Sequence, residues 1–76
     1  MSDDLLVTQV SSRTTGEKGR SVSGARTNHF VIDEPAYNGG PGEAVTPAES
    51  FLAGVSACGV LLVESFAARD GVPLRP

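Results

Sequence analysis

The sequence predicts an α+β fold in which short antiparallel strands precede one long helix. Two observations carry this. The first half alternates short β-branched and aliphatic runs with polar, glycine-bearing turns. The second half holds an apolar run opened by a helix cap and closed by glycine and proline. At 76 residues the chain makes one domain at most. A chain this short buries only about 60% of the surface its unfolded form exposes, so its stability is marginal without a disulfide, a metal or a partner chain. One cysteine excludes an internal disulfide, and one Cys with one His cannot complete a four-ligand zinc site. No metal or cofactor is implied, and a partner chain, or missing sequence, is the remaining route to a stable fold.

The strands are expected between about residues 5 and 34. Leu5-Leu6-Val7-Thr8-Gln9-Val10 reads as the first. Ser11 to Gly19 is polar, with Gly16 and Gly19 flanking Glu17-Lys18, which marks a hairpin turn. A second strand follows from Arg20, with Gly24 as a turn or bulge signal. His29-Phe30-Val31-Ile32-Asp33 reads as the third and ends at Glu34-Pro35, because proline cannot donate to a ladder. The loop from Ala36 to Val45 carries Gly39-Gly40-Pro41-Gly42. Its spacing fits neither the Walker pattern nor the dinucleotide fingerprint, so a flexible connector is the simpler reading.

The helix is the clearest element and is placed at about residues 47–70. Thr46 is an N-cap, Pro47 occupies the first helical position and Glu49 stands three residues after the cap, which together make a capping box. Apolar residues at 51, 52, 55, 58, 62 and 66 follow a helical period. Arg69 suits the negative end of the helix dipole, and Gly71 with Pro73 supplies a stop.

Charge points to no partner class. Six basic and nine acidic residues give a net charge of -3, scattered without a basic stripe, so neither the composition nor the pattern suggests nucleic acid. The acidic start, Met1-Ser2-Asp3-Asp4, lacks the positive region of a secretory signal. The longest uncharged stretch, residues 50–63, covers about 14 residues where a membrane span needs about 20, and it is expected to be a core helix. A lone cysteine without an export signal fits a reducing cytoplasm.

Cys58, midway along the helix, is the residue best suited to chemistry. It lies about twelve residues in, beyond the reach of the helix N-terminal dipole. Its neighbours Ser56, Ala57 and Gly59 are small and leave room for an approaching group. A packing cysteine and a reactive thiol are both open on these residues. The second requires a cation nearby, and Lys18, Arg20 and Arg26 are available from the strand region. Glu49 lies roughly half a turn around the helix from Cys58, which favours its capping role. His29 and the Asp33-Glu34 pair are accounted for by strand structure, a turn cap or solvation.

Together, His29 through Asp33-Glu34-Pro35, then Asn38-Gly39-Gly40, then Thr46-Pro47-Ala48-Glu49 leading to Ser56-Ala57-Cys58 resemble the OsmC/Ohr family. The resemblance runs from about Arg20 to Leu74 and corresponds to the N-terminal half of that family's length. It implies an OsmC-like half-fold completed by a partner chain in an intertwined homodimer. It also implies a thiol-dependent hydroperoxide reductase in which the cysteine matching Cys58 attacks an organic or inorganic peroxide and becomes a sulfenic acid, later restored by a thiol reductant. Arg20 or Arg26 would stabilise the thiolate. The sequence departs from the pattern in three places. It lacks the second, resolving cysteine. Ala48 stands where the organic-hydroperoxide branch has an acid, and Glu17 falls near the position of that branch's activating arginine. A non-catalytic dimerisation module, pairing through Phe51, Val55, Leu62 and Phe66, and a small-molecule binding protein are the alternatives.

Overall fold

The computed structural model describes residues 6–75. Three antiparallel strands, β1 (Ser11–Thr14), β2 (Arg20–Ala25) and β3 (Asn28–Asp33), form one sheet in the order β1-β2-β3. A short 3₁₀ turn, Ala36–Asn38, leads into a loop and then into the helix α1, Pro47–Arg69. The α+β layout expected from the sequence is present.

The first strand differs from expectation. Residues 6–10 are not in a strand, and Leu6, Val7 and Val10 are exposed; Leu5 lies outside the described residues. The strand occupies the polar segment Ser11–Thr14, read from sequence as part of a turn. The reason is register. β1 pairs with β2 from Thr14↔Ser21 to Ser11↔Gly24, and only Ala25 of β2 remains past that point, so residues 6–9 have no strand residue opposite them. The polar strands are joined through Ser12 Oγ and Ser23 Oγ, 2.7 Å apart, and Ser23 is buried.

Gly24 is neither turn nor bulge. It pairs regularly with His29, whose ring lies where a Gly24 side chain would go: a Cβ there would come within 3.1 Å of His29 Cδ2. The reversal falls at Arg26-Thr27, where Arg26 adopts a left-handed φ of 57°, uncommon for a residue with a Cβ.

The loop after β3 folds back onto the β1–β2 turn. The Glu34 N–H donates to Gly19 O at 2.7 Å, the Gly40 N–H to Pro35 O at 3.1 Å and the Asp33 N–H to Val45 O at 2.9 Å. Asn38 Nδ2 donates to Glu34 Oε2. Gly40 is required by close approach: a Cβ would lie 2.6 Å from Glu34 Cβ and 2.7 Å from Glu34 C. Gly19, at φ +80°, approaches Gly40 so closely that its own Cβ would stand 2.5 Å from Gly40 Cα. The glycine pair is thus a built contact between two turns, whereas the sequence suggested a flexible connector.

α1 begins and ends as its sequence dictates. Thr46 Oγ1 accepts from the Glu49 N–H at 3.1 Å, and Glu49 Oε1 accepts from the Thr46 N–H at 2.9 Å, so both halves of the capping box form. At the other end Gly71, at φ +71°, donates to Ala68 O at 3.3 Å and Val72 N–H donates to Ala67 O at 2.8 Å. This is a Schellman motif. The Arg69 guanidinium sits 4.8 Å from the centre of the Phe66 ring and adds a cation–π contact.

The expectation of a core helix is not met within this chain. No residue of α1 is buried, and its contact with the sheet is confined to β3. Among the described residues no hydrophobic side chain is buried; Ser23 and Asp33 are the buried residues. The radius of gyration is 17.0 Å, against about 11 Å for a compact domain of this length. The chain exposes 6352 Å², some 2,000 Å² above the roughly 4,400 Å² expected for a folded monomer of its mass.

Candidate functional site

Cys58 is exposed on α1 and lies in a shallow groove with Phe51, Gly54, Val55, Gly59 and Leu62. The groove follows from helical spacing. Positions 51, 55, 58 and 62 recur at intervals of three or four and share a face, while the two glycines leave depressions between the larger side chains. No residue lining it is charged. It offers a thiol in an apolar setting open to an incoming molecule.

The candidate cations lie elsewhere. Arg20 opens β2 directly opposite Asp33, the last residue of β3. Its Nε and Nη2 donate to Asp33 Oδ1 and Oδ2, both at 2.8 Å, a planar fork matched to a carboxylate. Nη2 also reaches Glu43 Oε1 at 2.8 Å, and Nη1 reaches Glu17 Oε1 at 3.3 Å. Arg26 occupies the tip of the β2–β3 turn and faces a polar groove with Gln9, Ser11 and His29. Among the described residues no hydrogen bond or ion pair joins Arg20, Arg26 or His29 to Cys58. Glu49 is held at the helix start by its capping bonds.

Asp33 is the residue that sequence reasoning underrated. Rather than solvated, as expected from the sequence, its side chain is fully buried. Oδ2 also accepts from the Glu43 N–H at 3.1 Å and the Ala44 N–H at 3.0 Å. The Arg20 bonds, aided by these backbone donors, hold the Asp33 carboxyl at about 2, against the upward push of burial. The same pairing raises the Arg20 guanidinium, with Glu43 contributing. The cluster ties the β2–β3 hairpin to the loop that delivers Thr46 and starts α1. Its signal in the sequence is recoverable once the hairpin is in register: the first residue of β2 and the last of β3 carry opposite charges.

α1 is 23 residues long and, by length and composition alone, apolar enough to cross a membrane, its most apolar 18 residues having a mean hydropathy of 1.9. Among the described residues no group of three or more His, Cys, Asp or Glu side chains is placed to hold a metal. Taken together, fold and groove define a hairpin-and-helix α+β chain with a solvent-open thiol on an uncovered apolar helix. No family model, curated protein or solved structure matches the chain, so the OsmC/Ohr resemblance rests on the motif residues alone.

Proposed function

We propose that this chain is one half of an OsmC-like, thiol-dependent hydroperoxide reductase, completed by a second copy in an intertwined homodimer in the cytoplasm. The observation that carries the reading is Cys58 itself, exposed at the middle of α1 in an uncharged apolar groove suited to the alkyl group of an organic hydroperoxide. The Cys58 thiolate attacks the distal peroxide oxygen, the O–O bond breaks, and the alkoxide takes up a proton and leaves as the alcohol. Cys58 is left as a sulfenic acid. With no second cysteine in the chain, an external thiol displaces water to form a mixed disulfide. A second external thiol then releases Cys58 and leaves as the reductant disulfide. In this reading the thiolate is stabilised by a strand-borne arginine, either Arg26 or Arg20 once released from Asp33 and Glu43.

The uncovered surface supports the partner. An excess of some 2,000 Å² per chain is what an obligate interface removes from water. In this reading the cover is protein, because lipid around α1 would have to take up the Glu64 carboxylate that interrupts residues 50–68. The test is direct. Reduced protein treated with an organic hydroperoxide and dimedone should carry one dimedone adduct at Cys58, and Cys58→Ser should abolish both adduct and peroxide consumption. Equal consumption by wild type and Cys58→Ser would overturn the enzymatic reading.

A second reading, a non-catalytic dimerisation module, is favoured by the engagement of Arg20. Four of its five N–H donors go to Asp33, Glu43 and Glu17, which holds its charge on these carboxylates and away from Cys58 in this arrangement. Self-association in sedimentation at micromolar concentration, with no dimedone adduct, selects this reading. A well-folded monomer rules it out.

A further inference from the structure

We draw no further inference here: the strongest candidate, the uncovered apolar surface of α1 around Phe51, Val55 and Leu62, belongs to the site already described, and nothing in the structure shows what else covers it.

Discussion

Thr46→Ala tests how α1 is held at its start, and with it the role of Glu49. The substitution deletes the acceptor of the 3.1 Å bond from the Glu49 N–H and leaves that donor to water. The site is half-exposed, so water recovers part of the loss, and the expected cost is about 1 kcal/mol, the usual figure for replacing an N-cap threonine with alanine. With a urea slope of about 1 kcal/mol/M for a small domain, the unfolding midpoint should fall by about 1 M. Thr46→Ser retains the hydroxyl and should stay close to wild type. Glu49→Gln keeps an acceptor for the Thr46 N–H but removes a negative charge from the positive end of the helix, at a cost of about 0.3–1 kcal/mol. The assay is urea unfolding followed by circular dichroism at a fixed protein concentration. A Thr46→Ala midpoint equal to wild type, or a Thr46→Ser midpoint as low as that of Thr46→Ala, would refute the capping argument. Peroxide turnover lost in Glu49→Gln at an unchanged midpoint would show instead that Glu49 acts on the thiol.

Three further outcomes follow from the geometry. Gly40→Ala should destabilise by about 1–3 kcal/mol, because its Cβ meets Glu34 backbone that cannot yield, and thermal unfolding against wild type checks it. Gly59→Ala meets nothing within 4 Å in this chain, so the helix should gain about 1 kcal/mol in dilute monomer; sedimentation should show weaker self-association if a second copy packs over this groove. Asp33 has its folded value depressed to about 2 from an ordinary 3.8, so its contribution is complete above pH 3.8 and lost as pH falls through 2. Acid titration of stability should therefore show a wild-type decline across that window that is absent from Asp33→Asn, which should also be less stable near neutral pH.

α1 was legible from the sequence alone because its determinants are local. Thr46 and Glu49 satisfy each other's backbone N–H within one turn, Pro47 brings no N–H that needs a partner, and Gly71 supplies a left-handed residue that needs no distant partner. The third strand was legible for a similar reason, since Glu34-Pro35 ends it through proline's own geometry. Cys58 could be placed on the helix by counting.

The first strand could not be found this way. Leu6 to Val10 has the better strand composition, but a strand exists only where a neighbour offers its backbone, and β2 ends at Ala25. The fate of Asp33 was likewise decided at a distance. A carboxylate before Glu34-Pro35 looks solvated until the loop bearing Gly40, Glu43 and Ala44 folds back over it and Arg20 arrives from the neighbouring strand. That closure depends on two glycine backbones meeting across about twenty residues of chain. Sequence patterning marked the apolar residues of α1 for burial, because hydrophobic spacing reports what a helix can cover. Only the tertiary structure showed that three short, largely polar strands present too little apolar surface to cover it, leaving Phe51, Val55 and Leu62 open beside Cys58.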